Sequence, residues 1–273
     1  MRVTRRPFYS PQSILEAVQR KVAEVKATGE SIDYLTFVPD GEPTLDANLG
    51  RAIGLLKPLG VKVAVITSGS RMEEPEVRSD LASANLVSLK IDAVTPDVWR
   101  RVNRPHGLLH LDDALQGILE FSQGFNGVLL AETMLVAGIN DGEGEVCRIA
   151  GFLSRMQPTK AYVAVPTRPP AEGWVRPTNE LAVNLAYQRF SEALGPGRVE
   201  CLVGYEGDAF ASSGDAEADL LSIAAVHPMR RQAVERLLAR ADATWDTVAR
   251  IMKQGQLVEM EYQGERFYLR KLR

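Results

Sequence analysis

Cysteine is scarce in this chain: two among 273 residues, Cys147 and Cys201, far apart in sequence. Neither has a second metal-type ligand at short spacing, so a disulfide framework or zinc knuckle is not indicated. A reducing cytoplasm is the default expectation. Long apolar runs are also missing. None reaches the roughly 18 residues a membrane span needs, and no apolar signal core follows the basic start from Met1 to Arg6. No membrane partner is expected. A strong charge of one sign is absent too: the net charge of −3 gives no global sign of nucleic-acid binding. Internal repeats and low-complexity tracts do not occur. What remains is 45% hydrophobic and 25% charged residues, enough for one α/β barrel or a smaller barrel with an appendage.

Periodicity organises the chain. Ile14, Leu15, Val18, Val22 and Val25 share one helical face between Pro11 and Ala27, with Ser10 placed to cap it. The β-branched and aromatic run from Tyr34 to Val38 then meets a turn at Pro39-Asp40-Gly41. The same alternation predicts helices over 48–59, 77–84, 96–102, 114–121, 146–156 and 181–194. Strands are predicted over 61–66, 86–91, 128–136, 161–165 and 199–203. Strands apolar on both faces that alternate with helices predict a parallel sheet wrapped by helices, a (β/α) barrel or partial barrel. Ligands of such sheets sit at the carboxyl ends of the strands. The tail differs: helices over 229–239 and 245–253, then a hairpin turning at Gln263-Gly264-Glu265. This predicts a small winged-helix-like module over residues 225–273, after a barrel over 1–224.

The strand ends carry the candidate site. Gly41 allows close backbone approach, Glu42 offers an acceptor for an ammonium group, and Pro43 fixes the turn before Thr44. A tight βα turn is the plainer reading of that segment. Thr67-Ser68-Gly69-Ser70 offers hydroxyls, or merely a helix cap. Ser88, Lys90 and Asp92 fall on one face of a strand at period two. Polar groups together on a buried strand are costly unless paired or bound to something, so this row points to a ligand at the barrel mouth. Glu132 sits in apolar surroundings, where it serves either as a partner for Lys90 or as a ligand contact. Gly138-Ile139-Asn140 is a turn that could pass close to a flat ring. Arg104 and His106 could bind an anion or move protons, although exposed loop residues are commoner.

In that order the strand ends resemble the radical SAM superfamily. The likeness is nearest to a group of Fe–S oxidoreductases related to wyosine-type tRNA-modifying synthases. The matching segments are DYLTFVPDGEPTL (33–45), VITSGS (65–70), VSLKIDAV (87–94), NRPH (103–106), ETMLVAGIND (132–141), VGYEGDAF (203–210) and VHPM (226–229). The resemblance implies that Gly41, Glu42 and Pro43 take the methionine amine of S-adenosylmethionine. It places Ser88, Lys90 and Asp92 at the ribose and carboxylate, and Met134, Val136, Ile139 and Asn140 near the adenine. Thr44, Thr67, Ser68 and Glu132 complete the cofactor-facing set. Arg104, His106, Arg168, Tyr205 and Glu206 are the substrate candidates, for a small-molecule or RNA substrate that the residues do not name.

In one place the chain departs from the resemblance. The family's [4Fe–4S] cluster needs three thiolates in a CxxxCxxC loop, and no cysteine precedes Cys147. The likeness places that loop, and a first barrel strand, just upstream of Met1. It implies either a shortened chain or a relative that lost its cluster, and the intact GEP and SLKID segments favour the first. On that reading the cluster and an external electron donor belong to a longer form, and this chain alone is inactive. The alternative is a non-catalytic nucleotide-binding module whose tail docks a protein or an RNA such as tRNA. Arg230, Arg231, Arg236, Arg240, Arg250 and Lys253 give that tail a basic character, interrupted by Glu259, Glu261 and Glu265.

Overall fold

The computed structural model describes residues 3–38, 41–202, 210, 212–226 and 228–271. Helix α1 (Pro11–Ala27) leads to strand β1 (Tyr34–Phe37). There follow α2 (Leu49–Leu56), β2 (Lys62–Thr67), α3 (Pro75–Leu81), β3 (Leu86–Lys90), α4 (Pro96–Val102) and α5 (Leu111–Gly124). The series closes with β4 (Val128–Met134), α6 (Glu143–Met156), β5 (Lys160–Ala164), α7 (Glu180–Leu194) and β6 (Val199–Leu202). The six strands form one parallel sheet in chain order. Parallel neighbours need crossover connections, which the helices provide.

Alternation along the strands separates two faces. Val63, Val65, Val87, Leu89, Leu129, Ala131, Ala161 and Val163 join helix residues such as Ile53, Leu81, Ile118, Phe152 and Phe190 in one core. Burying each such side chain contributes on the order of 1.5–3 kcal/mol. The intervening positions form the other face, where charged residues fall in register: Lys90 opposite Glu132, Glu132 opposite Tyr162, and Tyr162 opposite Glu200. This face is open in part, with Ile66 37% and Leu202 39% exposed.

The chain divides into two compact units. The first comprises Met1–Ala23, Ser31–Pro166 and Val175–Val203; the second comprises Glu24–Glu30, Thr167–Trp174 and Gly204–Arg273. The second therefore begins ahead of residue 225. Its extra element is helix α8 (Ala216–Val226), which periodicity does not reveal because apolar residues surround it rather than forming one stripe. Ala216, Leu220 and Ala224 of α8 pack with Val234, Leu237, Val248, Ile251, Leu257 and Tyr268 in this unit's own core.

Met229 and Arg230 are not the first turn of a helix. They form a short strand, β7, paired antiparallel with Tyr268 and Phe267, so that α9 (Arg231–Arg240) starts two residues later than the sequence suggests. Helix α10 (Trp245–Lys253) and strands β8 (Leu257–Tyr262) and β9 (Glu265–Arg270) complete a three-stranded antiparallel sheet in the order β7-β9-β8. Gln263 and Gly264 both have positive φ, 52° and 77°, as a two-residue hairpin turn between right-twisted strands requires.

Candidate functional site

The end of β1 runs into a single 3-10 turn, Pro43–Leu45, capped by Glu42. One oxygen of the Glu42 carboxylate accepts from the backbone and hydroxyl of Thr44 at 3.1 and 2.7 Å. The Thr67 hydroxyl donates to that same oxygen, and the other oxygen accepts from the backbone and hydroxyl of Ser68 at 2.8 and 2.6 Å. One side chain thus ties the loop after β1 to the loop after β2. Behind the turn, Arg5 donates to the Thr44 and Asp46 carbonyls at 2.9 and 3.2 Å and pairs with Asp80. A ligand amine would share a carboxylate that five donors already meet.

A second assembly joins the ends of β3 and β4. Asp92 accepts from the Met134 backbone at 2.8 Å and from the Asn103 amide at 2.9 Å. Asn140, fully buried, accepts from Val136 N–H at 2.7 Å and donates to the Asp92 and Met134 carbonyls at 2.8 and 2.9 Å. Its amide is committed to shaping the turn from Val136 to Asn140, in which Gly138 takes a left-handed φ of 70°. Thr133 adds a bond to the Ile91 carbonyl at 2.8 Å. Between the two assemblies, Lys90 pairs with Glu132 at 2.6 Å. Burial alone would lower the Lys90 pKa, but the Asp92 and Glu132 carboxylates outweigh it and raise it above the ordinary lysine value. Ser88 is buried on the same strand, with no hydrogen-bond partner for its hydroxyl among the described residues.

No family model matches the chain. Over 271 residues it is 36% identical to a UPF0026 protein of Methanocaldococcus jannaschii, across 99% of this chain and 84% of that relative. The chain belongs to the UPF0026 family. The fold of this UPF0026 chain is similar to that of a radical SAM methyltransferase from Sphaerobacter thermophilus, with TM-score 0.53 and 15% identity. That match covers 73% of this chain and 59% of the other. It is also similar to TYW1 with a lysine–pyruvate adduct bound, with TM-score 0.51, 14% identity, and coverage of 67% and 63%. These likenesses show the fold, an α/β partial barrel of the radical SAM type.

Within the UPF0026 chain, the expected site residues fall into three groups. Glu42, Thr44, Thr67 and Ser68 are brought together, as are Asp92, Met134, Val136 and Asn140, with Lys90 and Glu132 paired between them. Gly41, Pro43 and Ile139 lie in the turns so formed. Arg104 is exposed after α4 with a φ of 46°, and the His106 Nδ1 accepts from Leu108 N–H at 3.2 Å. Arg168 is partly buried in the connection between β5 and α7. Tyr205 and Glu206 lie outside the described residues.

Besides Arg5, two positioning side chains lie outside the expected site residues, although Asn103 opens the NRPH segment. Glu145 on α6 accepts from Val94 N–H, Thr95 N–H and the Thr95 hydroxyl at 2.7, 3.0 and 2.9 Å, and so holds the start of α4. Asn103 reaches Asp92 from the far end of α4. Neither carries a local signal, because each partner is distant in sequence.

The donor set decides which cofactors fit. Hydroxyls and an ammonium stand beside carboxylates, next to the partly buried Met134 and Ile139, a combination of polar groups and apolar surface suited to a small polar organic ligand. An iron–sulfur cluster does not fit the residues present. Cys147 on α6 and Cys201 on β6 are separate and exposed, and among the described residues no three His, Cys, Asp or Glu side chains gather to hold a metal ion.

Proposed function

We propose that this chain binds S-adenosylmethionine at the carboxyl ends of β1 to β4, as the cofactor-holding portion of a radical SAM enzyme. The observation that carries the reading is the convergence of Glu42, Ser68, Ser88, Lys90 and Asp92 on neighbouring strands and their end loops, in a sheet of the radical SAM type. Radical SAM chemistry, when its cofactors are bound, cleaves S-adenosylmethionine reductively and abstracts hydrogen from a substrate. The residues here bind and orient. The backbone of Gly41–Pro43 and the Glu42 carboxylate receive the methionine amine. Lys90, kept protonated by its carboxylate neighbours, faces the methionine carboxylate, and Ser88 faces the ribose. Met134, Val136 and Ile139 flank the adenine, in a turn that Asn140 holds from behind. No cluster step is assigned to this chain, whose two cysteines do not form the site.

Isothermal titration of the chain with S-adenosylmethionine tests this. One binding site is expected, weakened by Lys90→Met and by Glu42→Ala. The absence of any binding by the unaltered chain would sink the reading. Anaerobic incubation with iron and sulfide is expected to leave this chain colourless.

A second reading concerns the second unit, as a winged-helix-like docking module. Its arginines favour a protein over RNA as the partner. Arg231 pairs with Glu235 and Arg250 with Glu217, while Arg266 lies 3.8 Å from Glu259, which lessens the charge offered to phosphates. A gel shift with tRNA across a salt series separates the two partners, because phosphate contacts weaken steeply with salt.

A further inference from the structure

The open face of the sheet carries one cross-strand row that the proposed cofactor does not use to its end. Lys90, Glu132, Tyr162 and Glu200 stand in register on β3, β4, β5 and β6. Lys160 reaches back from two residues before Tyr162 to pair with Glu200. The row therefore reads cation, anion, aromatic ring, anion, cation. Adjacent strands lie about 4.8 Å apart, so Tyr162 and Glu200 stand roughly 5 and 10 Å across the sheet from Glu132. The outer pair is accessible, with Lys160 32% and Glu200 51% exposed.

Toward the carboxyl ends of the same strands, the next row is apolar: Met134, Ala164 and the 39%-exposed Leu202. Polar groups placed beside apolar side chains are what fix the orientation of a small ligand where it binds.

We infer that the Tyr162–Glu200–Lys160 end of this row binds a free α-amino acid with an apolar side chain, as a second ligand beside S-adenosylmethionine. The charges are complementary at each point. The ligand ammonium lies between Glu200 and the ring of Tyr162, where a carboxylate and a π-face both favour a cation. Its carboxylate meets Lys160, whose protonated form the hydrogen bond to Glu200 already favours. Its side chain lies along Met134, Ala164 and Leu202. Binding exchanges one exposed ion pair for two ligand pairs, so the net charge of the row is unchanged. A singly charged ligand would leave one partner of Lys160–Glu200 unmatched. The inference rests on the cofactor reading only in taking the Lys90–Glu132 end as the neighbouring site.

The test is isothermal titration with L-leucine, alone and at saturating S-adenosylmethionine. L-leucine is expected to bind in both conditions. N-acetyl-L-leucine and L-leucinamide, each lacking one charge, are expected to bind at least about tenfold more weakly. Glu200→Gln and Lys160→Met should each weaken L-leucine by roughly tenfold and leave S-adenosylmethionine affinity unchanged. Glu200 is exposed and Lys160 is half-buried at the start of its strand, so folding is expected to persist, checked by circular dichroism. Equal binding of the blocked derivatives overturns the inference. So does competition between L-leucine and S-adenosylmethionine, which would make the row part of the cofactor's own site. If S-adenosylmethionine binds and L-leucine does not, only this inference fails. If L-leucine binds as described and S-adenosylmethionine does not, the cofactor reading fails instead.

Discussion

Asn140 in the first unit and Arg231 in the second each hold neighbouring groups by hydrogen bonds, under very different conditions. Asn140 is fully buried and spans Val136, Asp92 and Met134. Arg231 lies at the surface, pairs with Glu235 at 2.9 Å and stacks over Trp245 at 5.0 Å. The same contrast separates Glu42, which joins two strand-end loops, from Arg250, which meets Glu217 between two helices. A buried polar group left without partners loses its hydration as well as its bonds. A surface pair is replaced by water at little cost. The difference teaches that the polar side chains defining the strand ends of the first unit are integral to its fold, whereas these arginine pairs of the second lie outside its apolar core.

The sharpest way to break this comparison is Asn140→Ala. It strands Val136 N–H and two carbonyls and should destabilise the first unit by about 3 kcal/mol or more. A urea midpoint change equivalent to less than about 1 kcal/mol would place Asn140 with the surface pairs. Next in size is Glu42→Ala, expected to cost about 2 kcal/mol and to loosen the loops after β1 and β2. Glu42→Gln, which can keep part of the bonding, should recover much of that in the same titration.

Tyr268→Phe probes the second unit. Its loss of the bond to Glu259 should cost about 1 kcal/mol at neutral pH. Burial first, and the Glu259 hydrogen bond second, push the Tyr268 pKa up to about 12. The unfolded phenol ionises near 10. The fold then still holds its proton, so stability is complete below pH 10 and declines between 10 and about 12. The Phe variant should flatten that decline, measured by the fluorescence of Trp245, which lies edge-on to Tyr268 at 5.6 Å.

Lys90 sharpens the contrast from the other side. Its folded pKa is raised, so the stabilisation from its carboxylate neighbours is complete below the unfolded value of 10.5 and lost as pH rises through the folded one. In Lys90→Met that alkaline component should vanish from first-unit melting curves. The smallest effects belong to Arg231→Ala and Arg250→Ala, each expected within about 0.5 kcal/mol in thermal melts. A larger loss from either would mean that the second unit, too, depends on specific polar pairs.

Much of the fold is legible in the residues. The helix over Pro11–Ala27 and the helix over Trp245–Lys253 have clear apolar stripes and appear with those bounds. The six strands appear within two residues of where their apolar runs place them, because the face packed against the helices is apolar along every core strand. Helix α8 was hidden, since AEADLLSIAAV presents apolar residues all round. Strand β7 was hidden because Met229 and Arg230 are a strand only by virtue of β9, far along the chain.

At the site, period two along 88–92 puts Ser88 and Lys90 on one face of β3, as in the structure, and of the two roles its surroundings allow, Glu132 takes that of partner to Lys90. The commitments of Glu42 to Thr67 and Ser68, and of Arg5 to Asp80 and the turn after β1, were not legible. They join groups that no local spacing relates.

By itself the sequence determined the alternation of helix and strand, the parallel sheet that alternation requires, and which residue types stand at each strand end. Hydrophobic periodicity is a local property, and so is the turn chemistry of Gly, Pro and Asp. Only the tertiary structure decided which strand-end groups meet. It directs Asn140 inward, closes Glu42 against the next loop, and lines up Lys90, Glu132, Tyr162 and Glu200 across four strands. That row depends on the register between strands, which is set by how the whole sheet packs on its helices.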